Sequence, residues 1–362
     1  MSPSKKVLLV ALGIHTAIMA FKRTFKVALL VNLARNAPES IRARENAPAD
    51  ALADLDSEKT GQSYADALRS RGHEVLVKEG GPDLAAWLAE HKPDICLNTC
   101  EGFVGDSREA QVPALLEMIG NIRYTGPGPL SAALTQDKPL TKQVLHYHGL
   151  PTPIFQVFKT PGDAIRADFR YPLFVKPKHE GTGMGVKADS VVHNRKQLRE
   201  RVEWVLKAYD QPALVETFVD GKDITCGLTG NAEDVHFFPI TEVDFSGYPP
   251  ELGAVYGSLH KVEYDDDYRN KCPAPLDNYR PGLSDQIREL THEVFLCTGS
   301  RDYARVDFRL DANHNPFILE INGLPGIAPN SDLTLMAKAE GLTHVDLVNM
   351  VLDAGLKRYG MI

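Results

Sequence analysis

The chain has 362 residues, of which 43% are hydrophobic and 24% charged, an ordinary globular balance with room for two or three domains. A formal net charge of −8 and the lack of a basic stripe exclude a general polyanion-binding surface, and with it a nucleic-acid partner. Cys96, Cys100, Cys226, Cys272 and Cys297 form no C-x-x-C pair, which suits reduced thiols in a cytoplasmic protein rather than a disulfide framework.

Lys5 and Lys6 precede an apolar run over residues 7–21, broken by His15 and Thr16 and followed by Lys22 and Arg23. The run is short for a membrane span and carries no A-x-A cleavage site, so neither membrane association nor export is expected. An early start codon, with Met19 just before the first strand, or an appended strand or helix is the preferred reading. Residues 1–25 are therefore set apart as an extension.

Residues 26–31 (KVALLV) predict a buried strand. Residues 32–57 are polar and rich in Ala, Pro and Asp, and predict a long loop or flap. A helix over 60–70, a strand over 73–78, a helix over 82–91 and a strand over 93–98 alternate, which argues for a parallel α/β sheet. A helix over 109–119 stops at Gly120, and YTGPG (124–128) is a tight connection.

Asp137 is placed as an N-cap with Pro139 in the first turn of a helix that ends at Gly149. Lys138 and Lys142 share one face of it, a spacing that by itself equally describes solvated charge. A strand over 171–177 carries Lys176 and leads into Gly181, Gly183 and Gly185, alternate glycines whose N–H groups could wrap phosphate oxygens. The loop is neither a Walker A nor a Rossmann turn, and a Gly-rich hairpin turn is the competing reading. A helix over 195–209 follows. Residues 213–219 predict a strand, with 222–229 as its hairpin partner. Residues 242–272 are polar and rich in Tyr and Asp, and predict an active-site loop.

A helix over 283–297 leads into RDYARVDFRLDANHNPFILEIN (301–322), two strands around a polar turn. Such a hairpin brings Asp307, Glu320 and Asn322 together, with Glu320 and Asn322 on one strand face. Three hard oxygen ligands beside Arg305 suit Mg²⁺ bridging nucleotide phosphates, although a surface hairpin with solvated charges fits the spacing equally. Residues 324–331 are irregular and rich in Pro and Gly, and a closing helix covers 346–359.

Together these segments resemble the ATP-grasp carboxylate–amine ligases, specifically the D-alanine–D-alanine ligase group, from about Val27 to the C-terminus. The resemblance rests on YTGPGPLSAALTQDKPLTK, GLPTP, FVKP…EGTGMGV, VETFVDGKDIT and ARVDF…LEINGLPG in that order. It implies an ATP-grasp fold, α/β and α+β, with an N-terminal parallel α/β domain over 26–129, a central ATP-grasp subdomain over 130–215 and a C-terminal one over 216–362. It also implies ATP, two Mg²⁺ ions with Mn²⁺ as a substitute, small amino-acid substrates, a homodimer and a place in cell-wall precursor synthesis.

By the same resemblance, Lys138 and Lys176 hold the α- and β-phosphates, and residues 180–185, including Glu180, Gly181, Thr182, Gly183 and Gly185, close over them. Glu216, Thr217, Phe218 and Val219 form the hinge that reads adenine, and Asp223 holds the ribose. Lys261 lies near the γ-phosphate, and Asp307, Glu320 and Asn322 ligate the metals. Arg305 stabilises the tetrahedral oxyanion, with Lys261 and Thr182 as further catalytic residues. Ser331 binds the acceptor carboxylate, and Glu101, Tyr256 and Gly326 contact substrate. Such chemistry needs cations, because a phosphorylated carboxylate and the oxyanion formed from it are neutralised and positioned rather than attacked by protein groups.

The departures from the family pattern cluster in the first-substrate half. Residues 31–36 lack the family's Gly-Gly turn and glutamate, Glu101 stands where a histidine is usual, the paired serines of the phosphate loop are Thr182 and Gly183, and Val262 replaces a tyrosine. Glu101 is the best-placed anion for a donor ammonium. The alternatives are an ATP-grasp ligase for L-amino acids or for an amine of specialised metabolism, and, least favoured, a non-catalytic nucleotide-binding domain. The last would be expected to lack Asp307, Glu320 or Arg305.

Overall fold

The computed structural model describes residues 23–42, 48–120, 122–249, 253, 255–258, 260 and 273–362. Most of the extension, together with Lys261, Val262 and Cys272, lies outside the described residues. Strand β1 (Lys26–Val31) is apolar from Val27 onward because it is covered on both faces. Val27, Leu29 and Val31 pack with Tyr64 and Leu68 of α1 (Glu58–Ser70), while Ala28 and Leu30 pack with Leu84 and Leu88 of α2 (Leu84–His91) and with α3 (Gln111–Met118). Strands β2 (Glu74–Glu79) and β3 (Ile95–Asn98) flank β1 in parallel, in the order β2-β1-β3. The expected parallel α/β sheet is present.

Two helices follow. The first, α4 (Pro129–Gln136), lies between the anticipated tight connection and the anticipated helix, where the sequence pattern gives no sign of it. The second, α5 (Lys138–Tyr147), starts as expected, with the Asp137 carboxylate accepting from the Leu140 N–H at 2.9 Å, a cap that contributes about 1 kcal/mol.

Strands β4 (Phe155–Phe158), β5 (Leu173–Pro177), β6 (Val191–Val192) and β7 (Ala213–Thr217) form an antiparallel sheet in the order β4-β7-β5-β6. Helix α6 (Arg195–Tyr209) covers it through Leu198, Val202 and Val205. Strands β8 (Lys222–Asn231), β9 (Asp234–Phe237), β10 (Thr241–Glu242), β11 (Asp302–Leu310) and β12 (Pro316–Asn322) form another sheet, ordered β10-β8-β11-β12 with β9 also on β8. Helix α7 (Leu283–Cys297) backs it through Ile287, Val294 and Phe295.

The expected hairpin between residues 213–219 and 222–229 is therefore wrong, because β7 and β8 belong to different sheets. The turn between them is held from outside, where Arg309 donates to the Val219 and Gly221 carbonyls at 2.7 and 2.9 Å. β8 instead pairs along its length with β11, from Gly230 opposite Asp302 to Lys222 opposite Leu310.

Helix α8 (Asp332–Ala339) begins directly after the stretch expected to be irregular (324–331) and is capped by Ser331, whose hydroxyl accepts from the Thr334 N–H. Helix α9 (His344–Arg358) returns to the first sheet and buries Leu347, Val351 and Leu352 in the same core as α1. Its end is tied down by Arg358, which donates twice at 2.8 Å to the fully buried Asp302. Cys96, Cys100, Cys226 and Cys297 are free thiols. Among the described residues no helix is long and apolar enough to cross a membrane.

Candidate active site

The expected β11–β12 hairpin forms, with a register shift between Asp307 and Phe308. Asp307 faces Glu320 and Arg305 faces Asn322. Two carboxylates directly opposite each other on an antiparallel pair repel, so something cationic must hold them. Arg305 does part of this, donating from Nε and Nη2 to Asp307 at 3.0 and 2.9 Å and reaching Asp332 at 3.4 Å. Lys176 and Lys138 approach the Glu320 carboxylate at 3.4 and 3.7 Å.

These contacts extend into a chain of alternating sign. Lys176, 6% exposed, also lies 3.1 Å from Glu216, which in turn forms an ion pair with Lys142 at 2.6 Å. The order is Lys142, Glu216, Lys176, Glu320, Lys138, a run with one more cation than anion. Burial works against the charged forms, but Lys142 and Lys176 outweigh it at Glu216 and hold that carboxyl below its ordinary range. Glu216 and Glu320 likewise outweigh burial at Lys176 and raise its ammonium above the usual lysine value. Asp307, Asp332 and Glu320 do the same for Arg305, which stays cationic despite its burial. Sequence reasoning gives Lys142 no part in the site, although its i, i+4 spacing from Lys138 is the available signal.

One cleft between the two antiparallel sheets is bordered by Lys138, Lys176, Glu180, Gly183, Glu216, Thr217, Phe218, Val219, Asp223, Tyr256, Arg305, Asp307 and Glu320. Asp223 accepts from Arg309 at 3.0 and 3.2 Å. An adjoining cavity is bordered by Glu101, Gly181, Thr182, Asn322 and Gly326, and shares Lys138, Arg305 and Glu320 with the cleft. Gly185 and Ser331 border neither, and Lys261 lies outside the described residues.

The Gly-rich loop uses positive backbone angles. Thr182 sits at φ 47°, Gly183 at 71° and Gly185 at 72°, the first a strained position for a β-branched residue. A Cβ at Gly183 would stand 2.9 Å from the Gly257 carbonyl carbon, and one at Gly185 2.6 Å from the Pro177 ring. The segment expected as a flap lies against this loop. Asp50 accepts from the Gly185 N–H at 3.0 Å, the Ser258 hydroxyl at 2.8 Å and the Tyr209 hydroxyl at 2.7 Å. Asp54 pairs with Arg108 at 3.0 Å. The sequence singles out none of these partners; the only hint is the density of aspartates over 50–56.

The donor set fits a hard divalent cation. Asp307, Glu320 and the Asn322 side chain are oxygen-bearing groups on neighbouring positions of one hairpin, and Asn322 already contacts the Asp307 carboxylate at 3.0 Å. Among the described residues no group of three or more His, Cys, Asp or Glu could hold a metal ion, so a third protein oxygen would have to come from a side chain such as the Asn322 amide.

A cleft of lysines and carboxylates between two antiparallel sheets, covered by a Gly-rich loop, defines a nucleotide-dependent ligase of the ATP-grasp class. The family model for the D-ala D-ala ligase C-terminus matches residues 144–353. The D-alanine–D-alanine ligase of Cupriavidus necator is 31% identical over 297 residues, covering 82% of this chain and 86% of its own. The uncharacterized protein y4sG of Sinorhizobium fredii is 35% identical over 310 residues, covering 83% and 88%. The crystal structure of the Bacillus anthracis D-alanine–D-alanine ligase complexed with ATP superposes with a TM-score of 0.70 at 20% identity, over 93% of this chain and 99% of that one. The chain belongs to the D-alanine–D-alanine ligase family, and it is an ATP-dependent carboxylate–amine ligase that acts on small amino-acid substrates.

Proposed function

We propose that the protein joins two amino acids, with an α-carboxylate on each, in the manner of a D-alanine–D-alanine ligase. The donor carboxylate oxygen attacks the γ-phosphorus of ATP, ADP leaves, and an acyl phosphate forms. The acceptor amine then attacks the acyl carbon, the amine proton is lost, and phosphate departs with its bonding electron pair. The observation that carries this reading is the alternating chain from Lys142 to Lys138 with Arg305 beside it. It supplies fixed cations where triphosphate and oxyanion charge develop, in a site screened from water.

In this reading Lys138 and Lys176 grip the phosphates, and the loop over 181–185 covers them. Lys138 donates to the Glu180 carbonyl, which couples the grip to the cover. Thr217 to Val219 offer the adenine hinge and Asp223 the ribose contact. Asp307, Glu320 and Asn322 would hold Mg²⁺, as two ions with Mn²⁺ a substitute; bound there, the metal neutralises phosphate charge. Arg305 stabilises the oxyanion, with Lys261 and Thr182 assisting. Ser331, at the N-terminus of α8, takes the acceptor carboxylate, since N–H groups at such an end favour an anion. Tyr256 and Gly326 complete the substrate contacts. The boundaries at 129 and 215, a homodimer, a cytoplasmic location and a role in cell-wall precursor synthesis complete the proposal.

The test is an ADP-release screen of D- and L-amino acids, singly and in pairs, with ATP and Mg²⁺, and the dipeptide identified by mass. ADP formation that requires two amino acids and yields their amide supports the reading. ADP release without any amide product overturns it.

A further inference from the structure

The donor half of the site is divided into two parts. Glu101 stands between two adjoining cavities. In front, Glu101, Glu109, Asp54 and Gln136 share a space with Arg305 and Glu320. Behind, a smaller chamber is lined by Asp54, Asp56, Tyr64, Thr99, Glu101 and Tyr303, among others. Asp56 borders only the rear chamber, where its carboxylate accepts from the Thr99 hydroxyl at 3.2 Å and the Tyr64 hydroxyl at 3.3 Å.

Lys138 and Arg305 also border the front cavity, and among the described residues no cation borders the rear chamber. Asp54 has Arg108, but among the described residues no cation lies within ion-pair distance of Asp56, Glu101 or Glu109. Burial pushes all three carboxyls up, Asp56 to about 6 and Glu109 to about 7; at Glu101 and Glu109 the Arg108 guanidinium opposes the rise and neighbouring carboxylates add to it.

A second observation is independent of charge. Gln136 is 4% exposed. Its Oε1 accepts from the Glu109 N–H at 3.3 Å, while its Nε2 finds no acceptor in the protein. A buried amide N–H in that state is costly unless a ligand oxygen meets it. The front cavity thus offers a donor for a carboxylate oxygen beside two carboxylates for an ammonium, which is the pattern of an α-amino acid. Asp56 and the chamber around it remain unused by such a ligand.

Given the ligase reading, on which this inference rests, we propose that the donor is a diamino or otherwise basic amino acid. Its second cationic group passes Glu101 into the rear chamber and ends on the Asp56 carboxylate beside Thr99 and Tyr64. A methyl side chain would leave Asp56 without a counter-charge and the chamber without an occupant.

The test measures ADP release and product mass for the full chain with ATP, Mg²⁺ and D-alanine as acceptor. The donors offered are alanine, diaminopropionate, ornithine and lysine in both configurations. At least one diamino acid is expected to exceed alanine in kcat/KM by about tenfold or more, and Asp56→Asn to narrow that ratio by about 10- to 100-fold through loss of a charge-assisted hydrogen bond. The wild-type ratio decides by itself if the variant does not fold. If alanine matches or exceeds every diamino donor, the inference fails and the ligase reading stands. If Asp56→Asn lowers both donors equally, Asp56 does not read the side chain and the inference fails. If no pair releases ADP, the ligase reading falls and takes the inference with it.

Discussion

Lys176→Met keeps the length of a buried side chain and removes its charge from the middle of the alternating chain. In the wild type its ammonium lies 3.1 Å from Glu216 and 3.4 Å from Glu320. At an effective dielectric of about 20, each contact carries roughly 5 kcal/mol of Coulomb attraction before desolvation is counted. The loss on substitution is far smaller than that sum. Glu216 keeps Lys142 at 2.6 Å and Glu320 keeps Lys138 at 3.7 Å, so neither carboxylate is orphaned, and the desolvation of the ammonium itself disappears. The folded protein should lose about 1–3 kcal/mol, below the cost of stranding a buried charge. Nucleotide binding should suffer more specifically. A charge-assisted hydrogen bond to phosphate contributes about 1.5–3 kcal/mol, so the Kd for ADP should rise about 10- to 150-fold. Urea unfolding reads the first quantity and calorimetric titration with ADP and Mg²⁺ the second. A folded variant whose ADP affinity stays within about twofold of wild type would remove Lys176 from the phosphate site and refute the reasoning.

Glu320→Gln should lower turnover by about 100-fold or more while the protein stays folded, because a neutral amide cannot balance the cations that meet there; near-normal ATP turnover with any substrate pair would misplace the metal hairpin. Glu101→Gln should raise the apparent KM for the donor by about tenfold or more and leave the KM for ATP within about twofold, since a charged hydrogen bond to the donor ammonium is lost; steady-state kinetics with unchanged donor parameters would exclude the role. The acidic cavity also predicts a pH effect. Burial lifts Asp56 from 3.8 to about 6 and Glu109 from 4.5 to about 7. A carboxyl whose folded pKa exceeds its unfolded one binds more protons when folded, so the ligand-free fold loses that stability as pH rises from about 4 to about 7. The urea midpoint should fall across that window, and Asp56→Asn should make the fall shallower; an identical slope in both proteins would count against the cavity.

Much of the local structure is readable from short stretches of sequence. The runs over 26–31, 195–209 and 283–297 carry their own period and end signals, and the elements β1, α6 and α7 coincide with them. The Asp137 cap is equally legible, because it follows from a spacing of a few residues, and the alternation over 301–322 brings Asp307 and Glu320 near each other without fixing their register. The order of motifs, from YTGPG to LEINGLPG, also suffices to indicate the family.

What lies beyond the sequence is everything set by surfaces distant along the chain. Whether residues 213–217 pair with 222–231 is not encoded in either run, since both have the alternation of a strand. The choice is made by β11, which offers β8 a nine-residue register, and by Arg309, which binds the turn carbonyls from outside. Lys142 reads as a surface lysine until β7 brings Glu216 to within 2.6 Å of it. The aspartates of the flap read as loop polarity until the fold lays Asp50 on the Gly-rich loop and Asp56 behind Glu101. Periodicity and capping report which face of an element is apolar and where it stops. They do not report which partner covers that face or which charges converge, because those depend on the three-dimensional arrangement of segments hundreds of residues apart.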